Sequence, residues 1–191
     1  MSIPVVSLAP VMRRDAGADE TVARDLKAAL GSWGAFELVD HGVPADTIEG
    51  AFTAAATFFR LPVDERLQVR IDRHNRGYAP LHQTVYPGNL PDLKESFNVG
   101  TPLTPNDPDV MAGKPLHGVN QWPQLPGFRA AVEGYFDAMM ALGNRLIGPL
   151  ALCIGLSPAQ MRAHYRKPVA FMRLFHYPPN GNVAQNEFGA A

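Results

Sequence analysis

Arg173 lies within an apolar run, Val169 to Tyr177, close to the end of a 191-residue chain. Alternate side chains of a strand share a face. Val169, Phe171, Arg173, Phe175 and Tyr177 therefore point one way, and Ala170, Met172, Leu174 and His176 the other. A strand apolar on both faces is expected to lie between two layers, where a guanidinium needs an anion or several acceptors. That anion is either an internal Glu or Asp or the carboxylate of a ligand, and spacing alone leaves both open.

The other groups with chemical potential are six histidines, at positions 41, 74, 82, 117, 164 and 176. Neutral imidazole is the commonest metal ligand, yet the chain contains no His-x-His, His-x-Asp, His-x-Glu or His-Glu-x-x-His. His41 follows Asp40 at a strand end and reads as a turn or cap residue. His164 stands near a helix C-terminus, where it complements the dipole. His117 precedes Gly118 in a proline-rich connection and stays undecided. Asp72-Arg73-His74 sets a carboxylate near a histidine on a loop, in reversed order for a metal pair. Phosphate loops of the G-x-x-x-x-G-K type, G-x-G-x-x-G turns and G-x-S-x-G elbows are missing, which removes nucleotide-binding and serine-hydrolase readings. Cys153, the single cysteine, excludes internal disulfides and cysteine-rich zinc sites and suits a helix core.

The elements that must position these groups follow from periodicity. Ile3 to Leu8 is a short strand, moved towards a sheet edge by Pro4. A helix over about 20–33 carries Val22, Leu26, Leu30 and Trp33 on one stripe and ends at Gly34. Ala35 to Val39 alternates as a strand, and Pro44 opens a helix whose stripe is Ile48, Phe52, Ala55, Ala56 and Phe59. A short helix follows Pro62. Residues 72–91 read as a long surface loop, of a length that is uncommon without function. Glu95 to Val99 is the next strand, and residues 101–127 form a second long connection. A long helix from Phe128 is expected to bend or break at Pro149. Ser157-Pro158 caps a last short helix, and Pro178-Pro179-Asn180-Gly181 turns the chain after the Val169 strand. With two apolar faces, that strand is expected to pair with residues beyond Ala191, so the sheet is incomplete.

Hydrophobic residues make up 46% and charged residues 18%, typical of a single soluble domain. The net charge is -1, and no basic cluster interleaved with aromatics appears, so nucleic acid is not an expected partner. No N-terminal basic and apolar stretch suggests a secretory signal. The long helix is interrupted by charges and does not read as a membrane span. A cytoplasmic location is expected.

Six blocks in order then carry a family resemblance over nearly the whole chain. They are Trp33 to Pro44 (WGAFELVDHGVP), Phe58-Phe59-Arg60-Leu61-Pro62 with Glu65-Arg66, Arg76-Gly77-Tyr78, Lys94-Glu95-Ser96-Phe97, His117-Gly118 with Asn120-Gln121-Trp122-Pro123, and Met172 to Pro179 (MRLFHYPP). This pattern resembles the isopenicillin N synthase-like non-haem iron oxygenases, the Fe(II)/2-oxoglutarate-dependent dioxygenases.

The resemblance implies an α+β fold in which an N-terminal helical region wraps the beginning of a double-stranded β-helix, or jelly-roll, core. It implies three segments: 1–118, the N-terminal region; 119–168, the connecting long and short helices; and 169–191, the first jelly-roll strand. It also implies Fe(II) held by two histidines and a carboxylate, with 2-oxoglutarate and O2 at open positions and a small-molecule substrate. Succinate and CO2 are the products. Tyr177 matches a tyrosine that often faces the cosubstrate. Arg173 matches a position common in bacterial members, ethylene-forming relatives among them, where a guanidinium meets an acidic substrate or an internal carboxylate. Glu95 is the expected internal partner of Arg173. Structural and site roles stay open for Glu95 and Tyr177, and Tyr78 and Arg76 are candidates for a substrate-facing loop. No histidine matches a family iron ligand, since the His-x-Asp motif is expected just after the turn corresponding to Asn186-Glu187-Phe188-Gly189. The 191 residues are therefore expected to be inactive alone. The alternatives are a non-catalytic truncated binding module or, within the family, an ethylene-forming or oxidative-cyclising enzyme.

Overall fold

A computed structural model describes residues 2–83 and 93–179. The expected turn at Asn186 to Gly189, the end of the 72–91 loop, and Asn180 and Gly181 lie outside the described residues. In chain order the elements are β1 (Val5–Ser7), α1 (Ala9–Arg13), α2 (Ala18–Trp33), β2 (Glu37–Val39), α3 (Ala45–Phe59), α4 (Val63–Leu67), β3 (Gly77–Ala79), β4 (Glu95–Gly100), α5 (Pro108–Met111), α6 (Phe128–Cys153), α7 (Pro158–His164) and β5 (Phe171–His176). The chain divides into two compact units, 1–50 with 133–168 and 51–132 with 169–191. Each is built from two separate stretches of chain.

In the first unit β1 pairs in parallel with β2, Val5 opposite Glu37 and Ser7 opposite Val39. Val6 and Leu8 join Val22, Leu26, Ala29 and Leu142 in one buried cluster. The apolar stripe of α2 is thus Val22, Leu26 and Ala29, at helical spacing. Leu30 and Trp33, expected on that stripe, are 37% and 44% exposed, in the last turn before the left-handed Gly34. The β2 exit is fixed by side chains: Ser7 Oγ donates to Asp40 Oδ2 at 2.5 Å, and the Val43 N–H donates to His41 Nδ1 at 3.0 Å. His41 is therefore a turn residue, as its position implies. Pro149 lies inside α6, which continues to Cys153 rather than breaking there. The proline removes one N–H from the ladder without ending it.

The second unit centres on an antiparallel sheet of order β3-β4-β5. Every residue of β4 is buried. Gly77, Tyr78 and Ala79 of β3 oppose Asn98, Phe97 and Ser96, and β5 opposes β4 from Glu95↔His176 to Gly100↔Phe171. This six-residue ladder gives β5 a partner on one side, and β5 is an edge strand of the sheet among the described residues. One face of the sheet carries Tyr78 and Phe97 against Phe58 and Phe128, with ring centroids 4.9–5.7 Å apart and Phe97 perpendicular to Phe128. Edge-to-face rings of this kind combine large apolar burial with favourable quadrupole contacts. Ala51, Phe58 and Phe59 are the buried residues of α3, Phe59 as expected, whereas Phe52, also expected there, is 71% exposed. Asn120 ends β4 by bonding both backbone groups of Gly100 at 2.9 Å.

Candidate functional site

The sheet of the second unit has two unlike faces, because period-two alternation sorts β4 into Glu95, Phe97 and Val99 on one side and Ser96, Asn98 and Gly100 on the other. The first side is closed. Glu95, 3% exposed, accepts at Oε2 from Arg66 Nη1 and from the Tyr78 hydroxyl, and its Oε1 lies 2.8 Å from His176 Nδ1. Arg66 also lies over the Tyr78 ring, 5.1 Å from the centroid. His176 stacks on Phe59 at 5.2 Å. Burial, and after it the hydrogen bond to Glu95, push the Tyr78 phenol well above the ordinary tyrosine range. The phenol therefore stays protonated and donates.

Glu95 is thus the partner of Arg66, Tyr78 and His176, and not of Arg173. The correction has a simple geometric reason. Glu95 opposes His176 in the ladder, while Arg173 opposes Asn98 and projects from the other face. Sequence reasoning missed Arg66 because an arginine in an amphipathic turn reads as solvated; its burial depends on Glu95, 29 positions away.

The second face opens onto a cleft of about 390 Å³, within the size range of small-molecule sites. Ser96, Asn98, Arg173 and Phe175 form its floor. Ile71, Asn75 and Pro80 form one wall, and Gln83 and Lys94 the rim. Among the described residues no carboxylate lines it. The wall is held by the loop after α4: the Ile71 N–H donates to the Tyr78 carbonyl at 2.8 Å, and Asp72 Oδ1 accepts from the N–H groups of His74 and Arg76. Arg173 is exposed, so the covered position expected from its apolar neighbours is not what the structure shows. Among the described residues its guanidinium has no hydrogen bond, ion pair or ring contact. Lys94 Nζ lies 5.9 Å over the Phe175 ring. Tyr177, 44% exposed, follows β5 on the Arg173 side, its ring 6.1 Å from Phe175.

Arg76 is 1% exposed and lies outside the cleft lining. It donates to the carbonyls of His74 and Leu116, both at 3.1 Å, and its guanidinium covers Phe171 at 4.2 Å. Gly100 makes room for it: a Cβ there would overlap the guanidinium. Burial lowers the Arg76 pKa, with Asp72 opposing the shift. Of the sequence-derived residues, then, Tyr78 and Glu95 meet on the closed face, Arg173 and Tyr177 share the open one, and Arg76 packs the loop.

A family model described as non-haem dioxygenase in morphine synthesis N-terminal matches residues 3–125. The chain belongs to the 2-oxoglutarate-dependent non-haem dioxygenase family. It is 33% identical to the 2-oxoglutarate-dependent dioxygenase citB of Monascus ruber over 98% of its own length and 63% of that protein's. It is similar, at 25% identity and a TM-score of 0.80, to a 2OG-Fe(II) oxygenase family protein of Caulobacter crescentus, covering 96% of this chain and 58% of that one. A full-length Neurospora crassa protein, solved in complex with alpha-KG, shares the fold with a TM-score of 0.76 at 24% identity, over 92% and 54% of the two chains. The fold class is therefore α+β, and the three-stranded sheet of this dioxygenase-family chain is part of a jelly-roll core.

The described residues of this family member do not fit an iron(II) site. No three His, Cys, Asp or Glu side chains gather among them. The contact between His176 and Glu95 supplies one imidazole and one carboxylate, but both oxygens of that carboxylate already accept from protein donors. No step of chemistry is assigned through a metal on these residues. Among them, no helix is long and apolar enough to cross a membrane.

Proposed function

We propose that these 191 residues form the substrate-facing part of an Fe(II)- and 2-oxoglutarate-dependent oxygenase that oxidises a small molecule with O2, releasing succinate and CO2. The observation that carries this reading is the open face of the β3-β4-β5 sheet: Arg173 and Tyr177 of the family-like MRLFHYPP block face outwards, and Arg173 lines a cleft of small-molecule size. The closed face is the support. Glu95, tied to Arg66, Tyr78 and His176, locks β5 to β4 and so fixes where Arg173 projects. The chain spans 63% of the length of the Monascus relative, and the activity proposed is that of the whole enzyme. In it Arg173 meets an acidic group of the substrate, and Tyr177 donates a hydrogen bond to a carboxylate of 2-oxoglutarate.

The 191 residues in isolation do not turn over 2-oxoglutarate, because the sequence holds no His-x-Asp for the facial triad. The purified polypeptide, given Fe(II), ascorbate, O2 and 2-oxoglutarate, is expected to retain no stoichiometric iron and to form no succinate. Iron-dependent succinate formation by it would overturn that statement. The reading frame following the Ala191 codon separates an enzyme from a binding module: His-x-Asp within a few codons supports the enzyme, and a stop codon in independent isolates supports the module.

A further inference from the structure

The turn between α4 and β3 sets one side chain in the cleft wall on a backbone conformation that few residues adopt. Asn75 is half-buried and lines the cleft at φ +62°, in the left-handed region. An asparagine in such a turn commonly bonds its own backbone. Here Asp72 fills that role: its Oδ1 accepts from the N–H groups of His74 and Arg76, and its carbonyl accepts from the Asn75 N–H at 3.1 Å. The Asn75 carboxamide is left without a hydrogen bond among the described residues. Its two neighbours are clamped from outside the turn. Arg76 bonds the Leu116 carbonyl as well as that of His74, and its Nε is buried without a partner among the described residues. Gly118 approaches His74 so closely that a Cβ there would overlap the His74 side chain. A buried unpaired donor and a left-handed non-glycine residue are both destabilising, and such features gather at binding sites. A glycine would satisfy the turn, so the backbone does not explain the carboxamide.

We propose that Asn75 is a specificity-determining residue, and that the cleft takes an acid whose far end is a primary amide or a lactam. A carboxamide carries a donor and an acceptor side by side. Its complement has N–H and C=O on the same side, as primary amides and lactams do; the trans amide of a peptide bond sets them on opposite sides. Asn75 Nδ2 then donates to the ligand carbonyl, and Asn75 Oδ1 accepts from the ligand N–H. The acid end meets the planar fork of Arg173, for which no carboxylate among the described lining residues competes. Phe175, on the same sheet face as Arg173, offers a flat apolar surface to the body between the two ends. A site built to pair an amide discriminates against an analogue that leaves its donor and acceptor unpaired. This inference deepens the oxygenase reading and rests on it for the word substrate, but the binding chemistry stands on the cleft alone.

The test is a calorimetric titration of the protein as its gene encodes it, in iron-free buffer, with para-carbamoylbenzoate, para-acetylbenzoate and benzamide. The first probe carries both ends, the second exchanges the amide NH2 for a methyl group of similar size, and the third lacks the acid. The wild type is expected to bind para-carbamoylbenzoate about tenfold more tightly than either of the others; tenfold is about 1.4 kcal/mol. Asn75→Gly keeps the left-handed turn and removes the carboxamide, and is expected to bring the two acids to equal affinity. Arg173→Gln, at an exposed position, is expected to weaken both acids and leave benzamide unchanged. A readout that needs no variant is the 15N-labelled wild type, in which para-carbamoylbenzoate is expected to shift the Asn75 side-chain amide resonances; it decides the matter should Asn75→Gly fail to fold. Equal wild-type affinity for the two acids, no binding by any probe, a preference that survives Asn75→Gly, or an unmoved Asn75 amide overturns the proposal. A failure here leaves succinate formation by the enzyme untouched, and absence of succinate leaves this titration untouched, so the two readings fail separately.

Discussion

Glu95 and Arg66 are the residues on which the closed face depends, because each is charged and almost fully buried. Removing one member of such a pair strands the other, which destabilises by about 3–5 kcal/mol. Glu95→Gln is expected to lower unfolding free energy by that amount in a urea titration, with no change in the slope. Tyr78 gives a pH signature. Its pKa is raised in the folded state, so its contribution to stability is complete below the ordinary tyrosine pKa of about 10 and declines above it, as the unfolded chain ionises first. The wild type is expected to lose stability above about pH 10 more steeply than Tyr78→Phe, as followed by urea midpoints across that range. At this scale the sequence made Arg173 visible as a charge among apolar residues and left its partner open between a ligand acid and Glu95, of which the structure removes Glu95. Period two within β5 was legible; which face of β4 each residue meets is a register property, and register depends on pairing between distant segments.

Among the elements, the long helices and most short pieces were readable, and β3 was not. The α2 and α3 boundaries follow their caps and stripes within about two residues, the usual uncertainty of helix ends, whereas β3 was hidden in a polar loop because Gly77-Tyr78-Ala79 lies among polar, Gly- and Pro-bearing residues with no alternation. What holds β3 is tertiary: the Tyr78 N–H donates to the Val69 carbonyl at 2.7 Å, and Gln121 Nε2 donates to the Arg76 carbonyl at 2.6 Å. Gly77 has φ +106°, and a Cβ there would overlap the Val69 carbonyl oxygen. Gly77→Ala combines left-handed strain with a backbone clash and is expected to cost at least about 1–3 kcal/mol, read as a lower thermal midpoint together with a weakened cleft wall. The stripe of α3 offers a paired check. Phe58→Ala is expected to cost about 3–5 kcal/mol, and Phe52→Ala, at an exposed position, to stay within about 0.5 kcal/mol, both by chemical denaturation. The reverse ranking would mean that the helix packs by the stripe read from sequence.

For the molecule as a whole, the family was legible because each of its blocks is a short run of contiguous residues, readable in order along the chain without knowing which segments pair. The division into two units was not, since it depends on where α6 and β5 return. One unit carries the parallel β1-β2 pair and the α2 core, and the other carries the sheet with both the buried ion network and the open cleft. The account's central claim is that this open face serves an Fe(II)- and 2-oxoglutarate-dependent oxygenase. The most direct measurement is the conversion of 2-oxoglutarate by the protein as its gene encodes it, supplied with Fe(II), ascorbate and O2, with succinate and CO2 counted together. The account predicts equal amounts of succinate and CO2, formation that stops when iron is chelated, and none of either from the isolated 191 residues. No succinate from the encoded protein in the presence of iron would contradict it.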